Sequence, residues 1–175
     1  MREIKTLRWI EKLSHAGGAA AGICILLMTA LILIEIIIRA AAGASILIAE
    51  EYSAYLLASF GTLALAYTFK SGGHIRVDLV LSKLSGRGRG YVNLGCTVIA
   101  FFIFVFAAYE TWGLFYGSWL SKETSMYYSK TRLWLPQFPI VLGTGLMALQ
   151  LLASVADQIQ SLGTTGREAP RLDRG

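Results

Sequence analysis

Eight ionisable residues stand where an apolar chain has least use for them. Glu35 and Arg39 lie four residues apart inside one apolar stretch, Glu50 and Glu51 open the next, and Glu110 lies one turn from the end of a third. His74, Arg76 and Asp78 follow Gly72 and Gly73 in the connection after the second stretch. A carboxylate in an apolar helix can carry a proton, hold a cation or pair with a guanidinium. It is expensive in a membrane unless it does one of these. The four-residue spacing puts Glu35 and Arg39 on one helix face, one turn apart, so they can pair. A hairpin between the first two stretches brings Arg39 close to Glu50 and Glu51. Four acids then face one base at that end, and an internal network neutralises only part of the charge. The remainder must reach water, take up a proton or meet a basic partner on another chain.

Other chemistry finds little support. No CxxC, HExxH, GxSxG or phosphate-loop pattern occurs. Cys24 and Cys96 fall inside apolar segments and read as small buried hydrophobes, not as a disulfide or metal pair. His15 and His74 both map to one membrane surface, whereas a membrane haem needs a pair at mid-bilayer. Catalytic residues, cofactors and metals are therefore not expected. The net charge of +5 does not point to nucleic acid, because the basic residues flank the apolar spans.

The elements that carry these residues are membrane helices. The chain has 175 residues, of which 55% are hydrophobic and 15% charged, against about 25% charged in soluble domains. Apolar segments cover residues 16–38, 48–69, 92–116 and 136–159. Each is close to the ~20 residues that cross a ~30 Å hydrocarbon core. The expected fold is an all-α integral membrane protein with four transmembrane helices. One domain would cover residues 1–162, and a polar tail would cover 163–175. Residues 1–15, with Arg2, Lys5, Arg8 and Lys12 beside Trp9, Ile10 and Leu13, read as an interfacial lead-in. A cleaved signal peptide fits poorly, since its apolar region would be too long and would contain Glu35 and Arg39. Gly18 and Gly22 form a small-xxx-small pair, and Gly143 and Gly145 also permit close helix approach. Pro136 suits a first helical turn, where a missing N–H costs nothing.

Charge sets the expected orientation. Twelve of the sixteen Lys and Arg residues fall in the N-terminal segment, the middle connection and the tail. The positive-inside rule places that side, with both termini, in the cytoplasm. The middle connection carries Val77, Val80, Leu81 and Leu84 at i, i+3, i+4, i+7 spacing, with Arg76, Lys83 and Arg87 on an adjacent edge. This predicts an amphipathic helix in the membrane interface, with the basic edge against anionic lipid. Trp112, Trp119 and Trp134 lead an aromatic cluster around the third connection, where rings belong at headgroup level.

These features together resemble one family. AEEYSAYLLASFGTLALAYTFKSGGHIRVDLV at 49–80, IEIIIRAAAG at 34–43 and PQFPIVLGTGLMALQLL at 136–152 are similar to the small membrane subunit of tripartite ATP-independent periplasmic (TRAP) transporters, the DctQ-like family. The resemblance covers nearly the whole chain. It implies a non-catalytic, four-helix scaffold in the bacterial inner membrane. It further implies a large M-type membrane subunit that carries substrate and sodium, and a periplasmic binding protein that delivers a carboxylate. By the same match Glu50, Glu51, His74, Arg76 and Asp78 are expected to matter for assembly. Glu35, Arg39 and Glu110 join them on the cost of burial alone. Two other readings compete. One is a self-sufficient four-helix proton-coupled multidrug antiporter with Glu35 as its proton site. The other is a haem- or quinone-holding anchor of a respiratory enzyme.

Overall fold

The computed structural model describes residues 2–71 and 87–165. In order along the chain, its helices are α1 (Arg2–Ala42), α2 (Ala49–Lys70), α3 (Arg87–Ser121) and α4 (Trp134–Thr165). Among the described residues the remaining pairing is a single antiparallel bridge, Thr124 to Arg132. The amphipathic helix expected over Val77–Leu84 lies outside the described residues, as does the tail from residue 166.

α1 is longer than its apolar segment. Its 41 residues run without a break through the expected lead-in. At 1.5 Å per residue that is about 60 Å, roughly twice the hydrocarbon thickness. The polar first turns therefore extend the span instead of lying apart from it. Lys12 Nζ sits 5.6 Å from the Trp9 ring centre, a cation–π contact that the helical i, i+3 spacing provides. At its other end α1 stops at Gly43. That residue has φ +63°, and its N–H donates to the Arg39 carbonyl at 3.1 Å. This is the left-handed cap that glycine enters without a Cβ clash.

Three stretches, Lys12–Ala42, Gly90–Ser121 and Trp134–Ser161, are long and apolar enough to cross a membrane. α2 falls short of them in apolarity, because its 22 residues include Glu50, Glu51, Lys70 and a scatter of Ser and Thr. Its position explains the composition. α2 is packed between α1 and α4, and α3 lies on the far side of α4. A helix covered on two sides needs small and hydroxyl-bearing residues more than lipid-facing Leu and Ile.

The close approaches fall at particular glycines. A Cβ on Gly143 would lie 2.4 Å from the Thr62 backbone carbon, so α4 and α2 touch backbone to backbone there. Gly17 faces the Leu63 carbonyl and Gly18 the Tyr67 ring. Gly22 and Gly145 have open space around them, so the adjacent pair Gly17 and Gly18, not Gly18 and Gly22, seats α1 on α2. The core is correspondingly slim and includes Ala21, Leu63, Ala66, Met147 and Leu151. In lipid there is little hydrophobic drive to enlarge it.

Polar side chains inside the bundle pair across helices. Ser14 Oγ lies 3.0 Å from Gln150 Oε1, joining α1 to α4. Thr111 and Thr144 hydroxyls meet at 3.1 Å between α3 and α4. Asn93 donates to Gln158 Oε1 at 2.8 Å, and Gln158 Nε2 donates to Thr97 and Ser154, each at 3.0 Å. Each such bond contributes on the order of 0.6 kcal/mol in a bilayer.

Candidate functional site

The charged residues at the α1–α2 end are assembled by the turn after Gly43. The left-handed cap folds residues 44–48 back over the last turn of α1, and the Glu35 carboxylate receives them. Its Oε1 accepts from Arg39 Nη2 at 2.6 Å, from Arg39 Nε at 3.2 Å and from Ser45 Oγ at 2.7 Å. Its Oε2 accepts from the Ile46 N–H at 2.7 Å. Arg39 Nη2 also donates to Ser45 Oγ at 3.1 Å. Glu35 is thus a clamp that fixes the turn by both oxygens. Its side chain is 12% exposed and that of Arg39 66% exposed, so the guanidinium forms the outer surface of the clamp. Glu35, Arg39 and Glu50 line one cleft of about 500 Å³ with Ser45 and Ser53. The proximity of Arg39 to the α2 acids expected from the sequence thus takes the form of a shared cleft with Glu50, while its ion pair is to Glu35.

Glu51 points elsewhere. It is 3% exposed and has no cation on it among the described residues. Tyr55 Oη, one turn on, donates to Oε1 at 2.7 Å, and Ser129 Oγ donates to Oε2 at 2.6 Å. Thr131 Oγ1 lies 2.7 Å from Ser129 Oγ, and Tyr52 Oη 3.0 Å from Thr131 Oγ1. A carboxylate only accepts, so the protons run one way, from Tyr52 through Thr131 and Ser129 to Glu51. This chain ties α2 to the connection between α3 and α4.

That connection is a short hairpin. Ser125 N–H donates to the Thr131 carbonyl at 2.8 Å, Leu133 N–H to Glu123 at 3.1 Å, and Lys130 N–H to Tyr127 at 3.1 Å. Lys122 and Lys130 take φ of 54° and 46°, at the entry and the turn. The tip is bare: Met126 is fully exposed and Tyr128 is 80% exposed. At its base Trp119 and Trp134 stack edge to face with ring centres 4.7 Å apart, and Phe115 lies 6.0 Å from Phe138. The belt rings expected from the sequence thus also knit α3 to α4. Trp112 and Trp119 stay largely exposed.

Glu110 is separate from the other acids. It is exposed on α3, a helix that packs mainly on α4. It shares a face, at helical spacing, with the exposed side chains Ile99, Phe102, Ile103 and Phe106. His74, Arg76, Asp78, Val77, Val80, Leu81 and Leu84 lie outside the described residues. His15 meets the Tyr67 ring edge to face at 5.3 Å. Cys24 and Cys96 are free thiols. Among the described residues no three His, Cys, Asp or Glu side chains converge as metal ligands.

Sequence reasoning picked the acids but missed their partners. Ser45 on Glu35, and Tyr55 and Ser129 on Glu51, supply hydroxyl donors, with Thr131 behind Ser129. The one available signal was the density of hydroxyl residues in the 121–131 connection, SKETSMYYSKT. The geometry does not favour Glu35 as a mobile proton carrier, since a guanidinium, a hydroxyl and a backbone N–H all hold its ionised form.

Residues 28–161 match the family model described as tripartite ATP-independent periplasmic transporters, DctQ component. The chain belongs to the DctQ family. The match covers the C-terminal third of α1, all of α2 and α3, and most of α4, so the clamp, the cleft and the hairpin all fall within the family region. No curated protein matches the chain. Membership makes it a membrane component of a TRAP-type transport system, and its long apolar helices fit a multi-pass protein of the inner membrane.

Proposed function

We propose that this chain is the non-catalytic small subunit of a TRAP-type secondary transporter. It would scaffold a large, sodium-coupled subunit that takes up a carboxylate delivered by a periplasmic binding protein. The family match over residues 28–161 carries this reading. Supporting it, Ser14 with Gln150, Asn93, Thr97 and Ser154 with Gln158, and Thr111 with Thr144 are joined to one another, as in a packed scaffold. α2 acts as the fourth span. Its 22 residues rise about 33 Å, enough for a ~30 Å core, and α1 and α4 shield its polar groups from lipid. Both termini are cytoplasmic, by the excess of Lys and Arg on that side.

The assembly role is divided among the acids. Glu35 and Glu51 hold the outer turns in shape, and Glu110 meets the large subunit. Glu110 is the acid without a partner among the described residues that shares a face with an exposed apolar stripe. His74, Arg76 and Asp78 take part in assembly from the inner side, as the family resemblance implies. Expressed with the products of its neighbouring genes, the chain should copurify with a large membrane protein. Glu110→Gln should reduce that yield several-fold while leaving membrane insertion intact. Isolation of the chain as a lone protein with full transport activity would refute the scaffold reading.

A further inference from the structure

The cleft between the ends of α1 and α2 presents one charge and one guanidinium edge that this chain does not use. Arg39 spends Nε and Nη2 on Glu35 and Ser45, while Nη1 has no partner among the described residues. Glu50, exposed on the first turn of α2, makes no hydrogen bond or ion pair among the described residues. Both line the same open cavity of about 500 Å³, within the ~300–1,000 Å³ range of small-molecule sites. Its remaining walls include Ile32 and Leu47, both exposed. The cleft also sits where the apolar run of α1 ends, at the level of lipid headgroups.

We propose that this cleft binds the headgroup of a phospholipid carrying both a phosphate and a primary ammonium. The phosphate would sit against Arg39 Nη1 and the ammonium against Glu50, and the acyl chains would pass Ile32 and Leu47. Three alternatives each serve the Arg39 Nη1 edge and Glu50 less well. A lysine from a partner protein satisfies Glu50 and leaves Arg39 Nη1 without an acceptor. An anionic headgroup satisfies Arg39 and sets a second negative charge beside Glu50 and Glu35. A choline headgroup offers Glu50 a cation without an N–H donor, which forfeits the charge-assisted hydrogen bond. The guanidinium is already fixed by Glu35 and Ser45, so binding orders little that is loose.

The test is lipid retention by the full chain, extracted from membranes together with whatever membrane partner copurifies. Bound dioleoyl phosphatidylethanolamine, phosphatidylcholine and phosphatidylglycerol are counted by native mass spectrometry across a titration. Phosphatidylethanolamine should bind about five-fold more tightly than either competitor, and Glu50→Gln should erase that preference. Glu50→Lys should turn the preference toward phosphatidylglycerol. Neither substitution removes an internal bond, so the thermal midpoint should be unchanged and folding is not in question. Equal binding of the three lipids overturns the proposal, as does a preference insensitive to both substitutions. Glycerophosphoethanolamine supplies the headgroup without its chains. If it displaces the lipid at equal concentration, the site serves a soluble zwitterion and the lipid assignment fails. Loss of the copurified partner in Glu50→Gln, with lipid retention intact, would instead make Glu50 a protein contact and refute the headgroup site.

Discussion

Glu51→Ala should release the 123–133 hairpin from α2 without unfolding the bundle. The wild-type carboxylate is 3% exposed and receives two charge-assisted hydroxyl bonds, from Tyr55 at 2.7 Å and Ser129 at 2.6 Å. Hydrogen bonds to a charged group contribute about 1.5–3 kcal/mol each. Water entering at the loop would recover part of this, and removing the charge also relieves its desolvation. A net loss of about 2 kcal/mol in the closed hairpin is therefore reasonable. Local opening should rise by the corresponding factor, about thirty-fold, since 1.4 kcal/mol is a factor of ten. Hydrogen exchange reads this directly, because the Ser125, Lys130 and Leu133 amides donate within the hairpin. Their exchange should quicken about thirty-fold in Glu51→Ala and by a smaller factor in Glu51→Gln, which keeps one good acceptor. Amides in the middle of α2 and α4 should not change. Glu50→Gln is the control, since Glu50 holds nothing in the hairpin. Hairpin amides that exchange at the wild-type rate in Glu51→Ala would refute the anchoring role of this carboxylate.

Other outcomes follow from the same geometry. Gly143→Ala would drive a Cβ to 2.4 Å from the Thr62 backbone and should destabilise the bundle by about 1–3 kcal/mol, seen as a lower thermal midpoint in detergent. Gly145→Ala, with open space, should leave that midpoint unchanged. Ser45→Ala removes one of the donors on Glu35 and should weaken the turn by about 1 kcal/mol, measured as roughly five-fold faster exchange of the Ile46 amide. Gln158→Leu breaks three α3–α4 and intrahelical bonds at once and should cost on the order of 1–2 kcal/mol, read by unfolding in mixed micelles.

The division between sequence and tertiary structure can be drawn residue by residue. The all-helical class and the long apolar helices followed from composition and span length, because a bilayer admits few ways to hide a backbone. The Glu35–Arg39 pair followed from four-residue spacing, and the place of Pro136 in the first turn of α4 from its missing N–H. These are local rules, and they act within one turn. The fate of the acids was not local. Glu50 and Glu51 are neighbours of the same type on the same first turn, and the sequence offers no reason to treat them differently. A helix turns about 100° per residue, so the fold sends one into an open cleft and the other under a hairpin more than seventy residues away. Charge counting predicted a deficit of cations at that end, and the structure meets much of it with hydroxyl groups, which no count of Lys and Arg registers. The glycines show the same limit. The sequence proposed Gly18 with Gly22 and Gly143 with Gly145, and packing chose Gly17, Gly18 and Gly143, because only a helix axis in place decides which small residue meets a backbone. From sequence alone came the family, the membrane and the list of charged residues. Only the packed helices decided which of those charges are satisfied inside the chain and which are left to meet something outside it.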